Sequence, residues 1–247
     1  MERRDYSSVA SFFLEEEPAA GDPVALTGDA LQHALVRRLR EADPVRLING
    51  RGRVATGRVA RADKRSVVVR VDAVEAIARP GQLEVLVPVA DRDRMLWAAE
   101  KCAELQVTDW RPVQYARSRS VTGRGEGAKF AAKVRARMMS ALEQCGGAWL
   151  PAIHEDADLA AATRAAAGIA TRIVLDPDGA PIAGMVRDGA VALAVGPAGG
   201  IDPGEFRALV GSGWAAASLG PSILRFETAV TTAVGVVRAL QPSPGSV

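Results

Sequence analysis

Two kinds of hydrophobic pattern divide the chain. Between residues 24 and 74, apolar and polar positions alternate in short runs, which is typical of strands with one buried face. The predicted strands are residues 45–48, 53–62 and 67–71. One stretch differs, because Leu31, Leu35 and Leu39 recur every four positions and predict a helix over residues 29–40. The first part of the chain is therefore predicted to be a small β-barrel that carries one helix.

Farther along the chain, buried strands alternate with amphipathic helices. The predicted strands are residues 83–89, 109–113, 172–175, 190–195 and 214–219. The predicted helices are residues 91–106, 128–145 and 228–240, and one more begins at the capping sequence DPGE of residues 202–205. This order predicts an α/β domain with a mainly parallel sheet. Residues 78–82, which include Pro80 and Gly81, break both patterns, so the predicted domains are residues 1–77 and 78–247.

Charge is distributed unevenly along the 247 residues, although the formal net charge is only +2. Residues 31–70 contain 11 basic and 3 acidic side chains, and residues 111–137 contain 8 and 1. Residues 1–30 contain 2 basic and 7 acidic side chains. Basic blocks in an otherwise balanced chain indicate a polyanionic partner, with nucleic acid as the leading candidate. The alternative is that these blocks are solvated surfaces of an arginine-rich protein.

Other classes of protein are not supported by the composition. The longest stretch without a charge, residues 208–224, is interrupted by glycine and proline and is too short to span a bilayer. Cys102 and Cys145 lie far apart outside any metal-binding spacing, so neither a disulfide framework nor a metal site is expected. No secretory signal follows the N-terminus, and we expect a cytoplasmic protein without a membrane anchor.

Two glycine-containing loops follow predicted strands and precede predicted helices. The first is GPAGG at residues 196–200, and the second lies within LGPSILRFETA at residues 219–229. The first loop has neither the lysine of a phosphate-binding P-loop nor the GxGxxG spacing, so ATP and Rossmann-type dinucleotides are not indicated. Taken alone it is equally compatible with a tight turn. Because ligands of open α/β sheets bind beyond the carboxyl ends of strands, the two loops together predict one shared site.

These segments resemble signatures of the bacterial 16S ribosomal RNA uridine N3-methyltransferases, which belong to the SPOUT class. GPAGG is similar to the family's GPEGG, and LGPSILRFETA to its LGxRILRxETA. Residues 100–107 resemble the family's KxxELGV helix, and EQCG at residues 143–146 matches a family segment. Two departures are Ala198, where the family usually has glutamate, and Ser222, where it often has arginine.

The resemblance implies a PUA-like β-barrel joined to a SPOUT-type α/β domain with a trefoil knot. It also implies a homodimer that uses S-adenosylmethionine to methylate N3 of a uridine in 16S ribosomal RNA, within the small ribosomal subunit. The residues that it places around the cofactor are Leu175, Gly196, Pro197, Gly199, Gly200, Ile201, Ser218, Leu219, Gly220, Ile223 and Leu224. Because main-chain groups would supply most contacts, cofactor binding is expected despite Ala198 and Ser222.

Candidate catalytic residues follow the second loop. Arg225 is expected to stabilise negative charge on the uracil carbonyl oxygens, and Glu227 to accept the N3 proton or to orient Arg225. The alternative is a structural ion pair between them. The residues predicted to bind RNA are Arg37, Arg38, Arg40, Arg51, Arg53, Arg117 and Arg119. Two other functions stay open: a SPOUT enzyme with a different target nucleotide, and a non-catalytic ribosome-binding factor.

Overall fold

The computed structural model describes residues 9–118 and 127–241. These residues form two compact units. The first contains the described residues up to Arg79 together with Leu142–Trp149. The second contains the described residues of Pro80–Ala141 and Leu150–Val247. None of the described helices combines the length and apolar character that a membrane span needs.

The first unit is built on a five-stranded sheet. Its strands are β1 (Ala10–Phe13), β2 (Pro23–Ala25), β3 (Pro44–Ile48), β4 (Arg53–Ala62) and β5 (Val67–Ala76), in the order β1-β3-β4-β5-β2. β1 runs parallel to β3, and the other neighbours are antiparallel. Alternate side chains point into a core that includes Phe12, Leu47 and Val69. The alternating runs therefore predicted β3 and β4 closely and the first half of β5.

The helix of this unit, α1 (Gly28–Val36), is shorter than the periodicity predicted. It ends in a Schellman turn, in which Arg38 has a φ of 55° and the amide of Leu39 donates to the carbonyl of Ala34 at 3.4 Å. Leu39 packs against the core although it lies outside the helix. A hydrophobic residue at this position of a Schellman turn commonly makes such a contact, which extends the apparent period beyond the helix.

A later segment of the chain completes the first unit. Glu143 accepts a hydrogen bond from the amide of Phe13 at 2.8 Å, and its other carboxylate oxygen lies 3.4 Å from Nδ1 of His33. The indole nitrogen of Trp149 donates to the carbonyl of Ile77 at 3.0 Å. The sequence-based division at residues 77 and 78 did not assign Leu142–Trp149 to this unit, because periodicity carries no information about such long-range contacts.

The second unit contains a parallel sheet covered by helices. Its strands are β6 (Leu83–Pro88), β7 (Asp109–Gln114), β8 (Ala152–Ile153), β9 (Ala157–Asp158), β10 (Thr171–Pro181), β11 (Val191–Ala194) and β12 (Ala215–Ser218). The order is β12-β10-β11-β6-β7-β8, with β9 also paired to β7, and every described pair is parallel. The helices are α2 (Arg92–Glu104), α3 (Gly127–Cys145), α4 (Leu159–Ala165), α5 (Pro203–Gly211) and α6 (Phe226–Leu240). The predicted mainly parallel α/β domain is confirmed, whereas the short elements β8, β9 and α4 were not predicted.

Helices α2 and α6 are joined by charged side chains at both ends. Near their first turns, Nε of Arg94 lies 3.7 Å from Oε1 of Glu227. Near their last turns, the guanidinium of Arg238 donates to the carbonyls of Leu105 and Gln106. A carboxylate at the N-termini and a cation at the C-terminus both complement the helix dipoles. Burial lowers the pKa of Arg238 to about 10.

Candidate functional site

The two glycine-containing loops face one cavity in the second unit. Its volume is about 270 Å³, and it lies beyond the carboxyl ends of β11 and β12 and beside the middle of β10. Ten of the eleven residues predicted for the cofactor line it: Leu175, Gly196, Pro197, Gly200, Ile201, Ser218, Leu219, Gly220, Ile223 and Leu224. Gly199 is the exception and lies against Arg117. The predicted meeting of the two loops is confirmed.

Local backbone requirements explain the glycines of the first loop. The amide of Gly200 donates to the carbonyl of Pro197 at 2.8 Å and closes a turn in which Gly200 has a φ of 74°. That conformation strongly favours glycine. A Cβ atom at Gly196 would lie 2.7 Å from Cγ1 of Ile201, so only glycine lets this isoleucine pack against the start of the loop.

The first loop is also attached to the end of β7. The predicted capping box of α5 is present, with Asp202 accepting from the amide of Gly204 at 2.8 Å. Glu205, its other member, accepts from the amide of Ala116 at 2.8 Å. Arg117 donates to the carbonyl of Gly199 at 3.4 Å and lies 3.5 Å from the carboxylate of Asp202. Arg117, predicted to bind RNA, therefore contacts the loop itself.

The second loop is organised by a serine at its start. The hydroxyl of Ser218 accepts from the amide of Gly220 at 3.2 Å and donates to the carbonyl of the same residue at 3.1 Å. Gly220 has a φ of 129°, which a side chain would strain. Ile223, farther along the loop, is 87% exposed. The loop thus combines a fixed beginning with an apolar side chain presented to solvent.

One charged side chain borders the cavity. Among the described lining residues, Asp176 alone carries a charge, and the others are small, apolar or hydroxyl-bearing. Ala198 and Ser222, the two departures from the family pattern, also line it and add no charge. Sequence reasoning missed Asp176, although its position directly after a predicted strand was an available signal. The carboxylate of Asp176 favours a ligand that carries a positive charge.

Arg225 and Glu227 have different surroundings. Arg225 is exposed and forms no ion pair with a described residue, while its neighbours Leu224 and Phe226 line the cavity. The side chain of Glu227 is only 12% exposed and pairs with Arg94. Its second oxygen, Oε2, is buried without a hydrogen-bond partner among the described residues. The ion pair between Arg225 and Glu227, the structural alternative, is not formed.

The other predicted RNA contacts lie in the first unit. Arg37, Arg38 and Arg40 are exposed in the turn and loop after α1. Arg53 is exposed on β4, whereas Arg51 contacts the carboxylate of Glu17 at 3.4 Å. Arg119 lies outside the described residues.

The described residues thus form a small β-domain and a parallel α/β domain with two strand-end loops around a cavity. Residues 78–238 match the family model described as an RNA methyltransferase domain, and residues 26–72 match the RNA methyltransferase PUA domain. The chain therefore belongs to the RNA methyltransferase family. This membership confirms the expectation of an RNA methyltransferase with an N-terminal PUA-like domain.

Individual relatives extend over nearly the whole chain. The proteins named ribosomal RNA small subunit methyltransferase E from Mycobacterium bovis and Mycobacterium tuberculosis are each 29% identical, covering 93% of this chain and 91% of theirs. The protein of that name from Neisseria gonorrhoeae, solved bound to S-adenosylmethionine, is 25% identical with a TM-score of 0.83, covering 95% of this chain and 98% of that one. Lpg2936 from Legionella pneumophila, solved with bound SAM, is 28% identical with a TM-score of 0.84 over the same shares. The predicted SPOUT fold class is confirmed.

Proposed function

We propose that this protein transfers a methyl group from S-adenosylmethionine to N3 of a uridine in 16S ribosomal RNA of the small ribosomal subunit. The observation that carries the proposal is the single cavity between the two glycine-containing loops, in a chain of the RNA methyltransferase family. The names of its relatives support 16S ribosomal RNA as the substrate. The resemblance of LGPSILRFETA to the N3-methyltransferase signature supports the target atom.

The residues present fit S-adenosylmethionine, which supplies an activated methyl group on its sulfonium when bound. Main-chain groups of residues 196–201 and 218–224 would hold the adenosine portion, because few side chains crowd the two turns. The carboxylate of Asp176 would favour the positively charged portion. Neither Ala198 nor Ser222 is needed for these contacts.

Methylation at N3 requires that this nitrogen loses its proton. Arg225 is exposed between two residues of the cavity lining and would stabilise the negative charge that develops on the uracil carbonyl oxygens. Glu227 would accept the proton. Its Oε2 is buried and has no hydrogen-bond partner among the described residues, so the uracil would have to displace the side chains that cover this oxygen. Arg94 would keep the other carboxylate oxygen in place. The protein's contribution is to position the uracil and to hold its proton and charge.

We also propose that the enzyme acts as a homodimer in the cytoplasm. Trp97 on α2 is 44% exposed, and Ile223 is exposed beside the cavity. A subunit interface would cover these apolar side chains, and the family resemblance implies a homodimer. A ribosomal substrate supports the cytoplasmic location.

Nucleoside analysis by mass spectrometry tests the proposal. Purified protein, S-adenosylmethionine and small ribosomal subunits, or naked 16S RNA, should yield N3-methyluridine in that RNA. A different methylated nucleoside would indicate another target, which is the first alternative left open above. Failure to bind S-adenosylmethionine in calorimetry would favour a non-catalytic ribosome-binding factor.

A further inference from the structure

The outer surface of the sheet in the first unit brings two arginines together. The register of β4 and β5 places Arg58 directly opposite Arg70. Both side chains are exposed, and the same row continues with Pro44 on β3 and Pro23 on β2. Neither guanidinium forms an ion pair with a described residue. Two like charges therefore occupy a directly opposed pair with no acidic side chain in the row.

Such a pair costs stability. Side chains directly opposite one another in an antiparallel sheet have Cβ atoms about 5 Å apart, and like charges at this separation are destabilising. One hydrogen bond offsets part of this cost for Arg58, because its Nη1 donates to the carbonyl of Ala42 at 3.2 Å. Arg70 has no described side-chain partner. The arrangement would be relieved by an anion that both guanidiniums contact.

A third arginine, Arg38, has an unfavourable backbone conformation in the loop between α1 and β3. Arg38 occupies the left-handed position of the Schellman turn after α1, where glycine is favoured. This loop lies against β4, because the amide of Ala42 donates to the carbonyl of Val59 at 2.8 Å. Two acidic residues also belong to the loop: Glu41 is exposed, and Asp43 accepts from the amide of Arg40 at 2.8 Å.

Other arginines of the same unit are bound within the protein. Arg61 lies 3.2 Å from the carboxylate of Asp63, and Arg46 donates to the carbonyl of Gly146 at 3.2 Å. Arg58 and Arg70 differ from these two because they are exposed, form no ion pair with a described residue and lie directly opposite each other. We call this directly opposed pair, Arg58 and Arg70, the arginine face.

We propose that the arginine face binds the phosphate backbone of the RNA substrate. Neighbouring guanidiniums on a regular strand pair suit phosphate oxygens, which accept paired hydrogen bonds from arginine. Contacts of this kind fix the position of an RNA without reading its bases. The inference rests on the proposed function, and it adds Arg58 and Arg70 to the residues that the sequence indicated.

Binding of the wild-type protein to 16S RNA transcribed in vitro is the reference measurement, made over a series of salt concentrations. The double variant Arg58→Gln and Arg70→Gln should bind about tenfold more weakly at moderate salt, and the slope of log K against log salt should fall by about 2. The control is the double variant Arg164→Gln and Arg187→Gln, which removes the same charge from the second unit. It should leave RNA binding unchanged, and both variants should bind S-adenosylmethionine like wild type.

Stability provides a separate readout. Arg70→Thr should raise the thermal unfolding midpoint while weakening RNA binding, because it removes the like-charge pair and keeps a residue that favours strands. A lower midpoint, or an unchanged RNA affinity and salt slope in the Arg58 and Arg70 double variant, would overturn the inference. The inference would also be overturned if the Arg58 and Arg70 double variant lost binding to anionic lipid vesicles while its RNA affinity stayed unchanged. Absence of RNA methylation by wild type would instead contradict the proposed function, which this binding assay does not measure.

Discussion

The two units present their functional groups by different physical means. In the second unit, the cavity is shaped by backbone conformation, through Gly200 and Gly220 at positive φ and Gly196 beneath Ile201. In the first unit, the arginine face depends on side-chain charge placed on regular strands. The comparison teaches that a ligand enclosed by main chain leaves a recognisable sequence signature, whereas a phosphate-binding surface leaves mainly an excess of charge.

The largest expected effect separates chemistry from binding in the second unit. Arg225→Ala and Glu227→Gln should each lower the single-turnover methylation rate by roughly 100-fold or more, because each removes a group proposed to act on the uracil. Affinity for S-adenosylmethionine should stay at the wild-type value in calorimetry. Arg187→Ala provides a control for loss of an exposed arginine in the same unit. Unchanged rates would leave both residues with structural roles.

A smaller effect is expected at the charged edge of the cavity. Asp176→Asn should weaken S-adenosylmethionine binding by about tenfold, since the amide keeps the size of the side chain but removes its attraction for a cation. Asp178→Asn is the matched control, because Asp178 is exposed two residues away and does not line the cavity. Equal affinities of the two variants would show that Asp176 does not contribute to cofactor binding.

Arg117 tests whether an arginine beside the first loop supports cofactor binding or RNA binding. Its contacts with Gly199 and Asp202 predict that Arg117→Ala weakens cofactor binding several-fold, by loosening the first loop. The sequence-based alternative predicts weaker RNA binding with cofactor affinity unchanged. Titrating the same variant with S-adenosylmethionine and with RNA distinguishes these outcomes.

The smallest effect is expected from substitutions at two positions with the same backbone conformation. Arg38 and Gln106 both occupy left-handed Schellman positions, with φ of 55° and 59°, after α1 and α2. Replacing either by glycine should stabilise the protein by about 0.5–1 kcal/mol in chemical denaturation, because the strain is relieved. Arg38→Gly should also weaken RNA binding, whereas Gln106→Gly should not. Equal RNA affinities of the two glycine variants would contradict an RNA contact by Arg38.

Much of the fold could be predicted because each main element has a strong periodic signal. The elements that escaped prediction are short: β1 is buried at all four positions and shows no alternation, and β2 has three residues. The end of α1 was placed four residues too late because Leu39 continues the period through a turn contact. These errors arise where tertiary packing, which is not encoded locally, determines the backbone.

In the candidate site, too, the features encoded locally were predicted and those that depend on tertiary packing were not. The cavity lining was predicted from loop motifs, because the conformation of each loop is specified by its own glycines. The pairing of Glu227 with Arg94 and the opposition of Arg58 and Arg70 were not predicted. Both depend on helix packing or strand register between distant parts of the chain.

The central claim is that the two glycine-containing loops enclose S-adenosylmethionine. Amide hydrogen exchange of the wild-type protein, with and without this compound, tests it most directly. The account predicts slower exchange concentrated in residues 195–201 and 218–224, with the first unit unaffected. Protection confined to other segments, or no protection at a saturating concentration of the compound, would contradict it.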